Sequence, residues 1–122
     1  MLPKQERLTK SREFAYIYRI RKSVANSLLI LYVGNIKQNK AMPTKVGFVV
    51  GKKVHKRAVK RNKIKRRVRE AYRELRKAQE FKLKDYKHLI FIARPAIIES
   101  DYSQIFNAVE DCLNKASKRF GE

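Results

Sequence analysis

An α+β fold, a single-domain two-layer α/β sandwich, is what three observations predict. Short apolar runs rich in β-branched and aromatic residues occur at 28–33, 46–50 and 89–93. Longer segments with apolar residues at helical spacing alternate with them. The length of 122 residues suits one buried core and falls short of the size at which cores split. The expected order is helix, strand, strand, helix, strand, helix, with residues 1–8 as a flexible N-terminal segment and no repeat or second domain.

The first helix is expected over about residues 9–20, where Phe14, Ile17, Tyr18 and Arg21 recur at helical spacing and Thr9 or Ser11 is available as N-cap. Its apolar side reads as aromatic, with Phe14, Tyr16 and Tyr18. Leu28–Val33 and Val46–Val50 read as neighbouring, mostly buried strands joined by a hairpin-like loop through the polar stretch Gly34–Pro43. Residues 56–77 lack Gly and Pro, and Ile64, Val68, Ala71 and Leu75 form a narrow core-facing stripe. A third strand, His88–Arg94, ends at Pro95, and Ser100 or Asp101 caps a last helix carrying Ile105, Val109, Cys112 or Leu113, and Ala116. The unit from Val46 through the long helix to 89–93 suits a parallel crossover.

Lys and Arg number 31 against 11 Asp and Glu, a formal charge of +20, so a polyanionic partner is expected. The chain shows no lipidation signal and no apolar run near bilayer length, which favours nucleic acid over membrane and a cytoplasmic protein. A hydrophobic content of 43% argues for a folded basic domain and against a disordered tail. Cys112 stands alone, which excludes an intrachain disulfide or a cysteine zinc site and suggests a buried, inert thiol.

Fourteen basic residues and two acids, Glu70 and Glu74, lie between Gly51 and Lys77. At about 100° per residue, Asn62, Arg66, Arg69 and Arg73 fall opposite the apolar stripe, with Arg61 and Lys65 on one flank. A solvated helix face would carry acids at i±4 to pair these charges, and here they are too few. Guanidinium forks match phosphate geometry, and Asn62 can donate and accept toward a base edge or 2′-hydroxyl. Composition alone does not separate RNA from DNA, since basic helices also read a major groove.

The run Lys60-Arg61-Asn62-Lys63-Ile64-Lys65-Arg66-Arg67-Val68-Arg69-Glu70 closely resembles the signature of the bacterial ribonuclease P protein family, Arg-Asn-x-x-Lys-Arg followed shortly by Arg. The resemblance extends through Arg12-Glu13-Phe14 with Tyr18, Val24-Ala25-Asn26, Tyr32, Val46-Gly47-Phe48-Val49-Val50 with Lys52-Lys53, and Ala93-Arg94-Pro95. Many relatives have a Gly where Val54-His55-Lys56-Arg57 follows the lysine pair, which leaves that turn's geometry open.

The resemblance implies a ribosomal-protein-like sandwich with a left-handed crossover, a hand that general rules rank as improbable. It implies that Arg61, Asn62, Lys65, Arg66 and Arg69, to which the helical wheel adds Arg73, contact a catalytic RNA. It also implies that Phe14, Tyr18 and Tyr32 line a cleft for the single-stranded 5′ leader of precursor tRNA, with Lys52 and Lys53 at its rim. Without it, the same aromatics read better as ordinary core.

The partners so implied are ribonuclease P RNA and precursor tRNA, with no membrane and no obligate protein partner. No cofactor or metal is expected on the protein alone, whereas the RNA-containing holoenzyme requires Mg²⁺ for hydrolysis. The eleven acids are scattered and His55 and His88 share no obvious partner, so no catalytic residue is assigned to this chain. A ribosomal or general structured-RNA-binding protein and a DNA-binding protein are the alternatives.

Overall fold

Strict alternation in the strands sorts the apolar residues onto two faces of one sheet, and the helices follow from that sorting. The computed structural model describes residues 6–35, 43–78 and 86–120. Its elements are α1 (Ser11–Ile20), β1 (Ser23–Ala25), β2 (Leu29–Val33), β3 (Lys45–Val49), α2 (Ala58–Ala78), β4 (His88–Ala93), a 3-10 turn (Pro95–Glu99) and α3 (Tyr102–Phe120). Leu29, Leu31 and Val33 of β2, Val46 of β3, and Leu89, Phe91 and Ala93 of β4 enter the main core with Ile64, Val68, Ala71 and Leu75 of α2 and Ile105, Val109, Cys112, Leu113 and Ala116 of α3. Leu8, Ile17 and Ile90 form a smaller core on the opposite face, under α1, with Phe14, Tyr18, Tyr32, Val49 and Ile92 packed around it.

The sheet order is β1-β2-β4-β3, with β2 antiparallel to β4 and β3 parallel to it. The expected hairpin between 28–33 and 46–50 is therefore absent, because β4 lies between those strands. β4 carries three successive buried residues, Leu89, Ile90 and Phe91, and only a central place covers such a strand on both faces. The parallel crossover from β3 through α2 to β4 is present as expected. The short edge strand β1 was not foreseen, since three residues carry too little pattern to read.

At the N-terminus of α1 the cap is Lys10, with no side-chain hydrogen bond, in place of Thr9 or Ser11. The helix ends at Arg21 in the left-handed region (φ 61°), a position that usually takes Gly. Tyr16 is exposed, at variance with its expected place beside Phe14 and Tyr18, because two residues along a helix is a rotation of about 200°. Within the expected N-terminal segment, Leu8 is buried, its N–H donates to Val46 O at 3.0 Å, and Glu6 pairs with Arg76. α3 opens on a reciprocal cap: Gln104 N–H donates to Asp101 Oδ1 at 2.8 Å, and Asp101 N–H to Gln104 Oε1 at 3.0 Å.

One side chain ties the sheet to α3. Asn26 Nδ2 donates to Ala108 O at 2.9 Å and to Asp111 Oδ2 at 3.0 Å, while its Oδ1 accepts from Leu28 N–H at 3.0 Å and Leu29 N–H at 2.9 Å. Its Nδ2 also lies 3.3 Å from Cys112 Sγ. Cys112 is fully buried, and burial pushes its thiol pKa up to about 12, which removes it as a nucleophile near neutrality. Among the described residues no helix is long and apolar enough to cross a membrane.

Candidate nucleic-acid interface

The buried stripe of α2 fixes which side chains face outward. With Ile64, Val68, Ala71 and Leu75 at most 5% exposed, the opposite face is held at a set rotation relative to the sheet. Asn62, Lys65, Arg66 and Arg69, together with Glu70, line one open concavity of about 440 Å³. Four of the six expected RNA contacts are thus brought together. The Arg69 guanidinium sits 5.7 Å from the Phe48 ring centroid, which holds it against β3 at the edge of the groove.

The remaining two are engaged differently. Arg61 turns back, and its Nη1 donates to His55 O at 3.0 Å and Lys56 O at 2.6 Å. It thereby fastens the turn before α2, where His55 Nδ1 also accepts from Arg57 N–H at 3.0 Å. The turn itself closes through Val54 N–H donating to Gly51 O at 3.0 Å with Val54 buried, and none of Val54 to Arg57, where many relatives have a Gly, takes a positive φ. Arg73 lies outside the concavity with its Nε 3.7 Å from Glu70 Oε1. Helical periodicity could rank these positions by direction but could not show that a long guanidinium bends to a nearby carbonyl.

On the other face of the sheet, Phe14, Tyr18 and Tyr32 are gathered as expected. Tyr18 and Tyr32 stand 5.0 Å apart edge to face, and Phe14 lies 6.4 Å from Tyr18. Burial, followed by the neighbouring Tyr32, raises the Tyr18 pKa, so the phenol stays neutral. Gly47 permits the approach of α1: a Cβ there would meet the Phe14 ring at 2.7 Å. Pairing register gives two transverse rows on this face. Tyr32, Ile90 and Gly47 form the row beneath α1, and Ile30, Ile92 and Val49 form a second, half-buried row. The second row had no sequence signal beyond strand alternation. Lys52 and Lys53 are exposed in the turn just past the β3 end of that row, separate from the aromatic cluster.

A partly buried polar contact anchors α1 at the other end of the sheet. His88 Nε2, at the start of β4, lies 3.1 Å from Glu13 Oε2. Burial lowers the His88 pKa, the Glu13 hydrogen bond and charge oppose it, and Lys45 and Lys87 add to the lowering. The folded state therefore binds its proton less readily than the unfolded chain, whose imidazole titrates near about 6.5. The associated stability is fully present above that pH and is lost as pH falls below it. We expect the thermal midpoint to fall between pH 7 and pH 5, and His88→Gln to flatten that fall; an unaltered slope would exclude His88 as its source.

Among the described residues no group of three or more His, Cys, Asp or Glu converges as a metal site. The described residues present instead a basic groove on one side of the sheet and an aromatic face on the other.

Comparison with known proteins bears on the family and the fold. Residues 2–117 match the family model described as Ribonuclease P. The "Ribonuclease P protein component" of Clostridium botulinum (strain 657 / Type Ba4) is 40% identical over 113 residues, covering 93% of this chain and 96% of that protein. The protein of the same name from Alkaliphilus metalliredigens is 37% identical over 109 residues, 89% and 91% of the two chains. Among solved structures, the RNase P protein of Staphylococcus aureus superposes with a TM-score of 0.76 at 34% identity, over 93% of this chain and 96% of that one. The RNase P protein of Thermotoga maritima gives 0.73 at 25% identity, over 90% and 96%. With the signature on α2, the whole-chain match and the shared fold in agreement, this chain belongs to the ribonuclease P protein family.

Proposed function

We propose that this chain serves tRNA processing as the protein subunit of ribonuclease P, with the α2 groove on the catalytic RNA and the aromatic face of α1 and the sheet on the 5′ leader of precursor tRNA. Family membership makes the chain part of an RNA endonuclease and ribonuclease P RNA its partner. The observation that carries the division of labour is geometric: Asn62, Lys65, Arg66 and Arg69 share one concavity, and Phe14, Tyr18 and Tyr32 share the opposite face of the sheet.

Each face suits its ligand. The groove offers two guanidinium forks and an ammonium to phosphates, and one amide to a base edge or 2′-hydroxyl. The row Ile30, Ile92 and Val49 continues the aromatic surface as an apolar shelf that ends at Lys52 and Lys53. A single strand binds such a surface by stacking bases on rings, worth about 1–3 kcal/mol each, and placing phosphates near the lysines. A precursor carries this strand and the mature product does not, so the site favours substrate over product.

In this reading the protein performs no hydrolysis, which belongs to the catalytic RNA with its Mg²⁺, and works in the cytoplasm. Its charge of +20 offsets repulsion between two RNAs. A ribosomal role would account for the charge but for no preference between precursor and mature tRNA.

The test is Mg²⁺-dependent cleavage of labelled precursor tRNA by bacterial ribonuclease P RNA, at low salt and limiting Mg²⁺, with and without the chain. Stimulated cleavage at the 5′ end of the mature sequence is expected. Tight RNA binding without stimulation would move the reading to a ribosomal or general RNA-binding protein. One related structure is a Staphylococcus aureus RNase P protein mutant with defective mRNA degradation activity, so the chain alone is also incubated with an mRNA. Cleavage by the chain alone would overturn the non-catalytic assignment.

A further inference from the structure

Tyr16 is 49% exposed, the one aromatic among the large hydrophobic side chains left open to solvent in the described residues. It lies on the outer side of α1, turned away from Phe14, Tyr18 and the sheet. Its hydroxyl accepts a hydrogen bond from Asn35 Nδ2 at 2.8 Å. Asn35 is itself fixed, because its carbonyl accepts from Lys87 N–H at 2.7 Å, next to Gly34 N–H donating to His88 O at 2.8 Å. An exposed ring is thus tethered to the end of the sheet, which removes much of the rotamer freedom that binding would otherwise cost.

Arg12 and Arg19 stand four residues before and three after Tyr16, on the same face of α1. Both are exposed, and neither side chain has an ion pair or hydrogen bond with another described residue. Glu13, the acid of this helix, is turned to His88 instead. The outer face of α1 is therefore a ring between two unpaired guanidinium groups about 10 Å apart along the axis. A ring stacks on any base, and cations one turn to either side reach the phosphates that flank it.

We propose that this face of α1 is a separate binding site for one unpaired RNA nucleotide, its base stacked on Tyr16 and its flanking phosphates on Arg12 and Arg19. The site rests on the reading of the chain as an RNA-binding subunit but is distinct from the cleft, which lies on the other side of the same helix. The nucleotide belongs either to a loop of the catalytic RNA or to the precursor, and the two sources are separable.

Two titrations test it: the chain against ribonuclease P RNA, and the reconstituted holoenzyme against precursor tRNA with a single-stranded leader. Tyr16→Ala is expected to weaken one of them by roughly 5- to 150-fold, the range for one stacked base. Tyr16→Phe keeps the ring and is expected to stay within about twofold of the parent. A loss in the first titration assigns the nucleotide to the catalytic RNA, and a loss in the second alone assigns it to the precursor. Two results overturn the site: neither titration moving, or Phe and Ala weakening binding equally, which would give Tyr16 a structural role through Asn35. The Arg66→Gln/Arg69→Gln pair is run alongside. If that pair leaves binding intact while Tyr16→Ala weakens it, the α2 reading fails and the α1 site stands; if both leave it intact, both fail.

Discussion

Replacing Arg66 and Arg69 together by Gln will weaken binding of ribonuclease P RNA by on the order of 100- to 10,000-fold at low salt, as two charge-assisted hydrogen bonds at about 1.5–3 kcal/mol each require. Both side chains line the α2 groove. The logarithmic salt slope will shrink by about 1.4 to 1.8, since each phosphate contact contributes roughly 0.7 to 0.9. Lys at both positions will restore most of the slope but less of the affinity, because an ammonium keeps the charge and loses the fork. Thermal stability will hold or rise, as the substitution removes two like charges from a chain of net charge +20. Filter binding across a salt series measures all three variants, and an unchanged slope would remove the groove as the RNA contact. Arg61→Gln will behave otherwise: its guanidinium is occupied by the His55 and Lys56 carbonyls, so its loss should lower stability more than it changes the slope.

The largest effect on stability is expected from Asn26→Ala, a loss of about 3 kcal/mol or more. The substitution leaves the Leu28 and Leu29 N–H groups without their partner, each costing about 1–3 kcal/mol where burial is substantial, and removes the second hydrogen bond on the helical Ala108 carbonyl. Against a total of about 5–15 kcal/mol for a domain, that is a large share, and the thermal midpoint should fall on the order of 10 °C or more. Asn26→Asp separates the two halves of the network. It can still accept from Leu28 and Leu29, but it cannot donate to Ala108 and it sets a carboxylate against Asp111. In the parent the Asn26 hydrogen bond holds the Asp111 carboxyl below its usual value, and in the Asp variant that sign reverses. The Asp variant should therefore regain stability on acidification into the carboxylate range, whereas the Ala variant should not.

Much of this was legible in the residues because two periodicities are strong. Ile64, Val68, Ala71 and Leu75 set the rotation of α2, and the facing groove of Asn62, Lys65, Arg66 and Arg69 followed from it. The aromatic trio was legible as a group only through the family resemblance, since Phe14, Tyr18 and Tyr32 at their spacings also fit a core, and they are in fact half-buried around one. Strand adjacency was not legible. Apolar runs report burial on both faces, and burial does not say which neighbour covers each edge, so β2 and β3 were paired with each other when each pairs with β4. Tyr16 points outward because the angle around the helix, and not nearness in sequence to Phe14 and Tyr18, sets the face of a side chain. The reach of Asn26 across 82 residues to Ala108 depends on tertiary placement that no local pattern encodes, and the bend of Arg61 to carbonyls five and six residues back is a rotamer choice that helical periodicity does not report.

The central place of β4 also sets an order of events as the chain is made. β2 and β3 have no ladder with each other; β2 meets β1 along one edge, but its other edge and the ladder of β3 are completed only by residues 88–93. Until those residues are available, the long basic helix between β3 and β4 has no closed sheet to lie on, and its cationic face is not held at any fixed angle. The strand that completes the scaffold is synthesised after the helix it orients, so folding must wait on a contact of long sequence separation, the kind that slows folding. During that interval the segment is a polycation without a shape, able to attract any RNA by charge; selectivity for one RNA begins when β4 inserts.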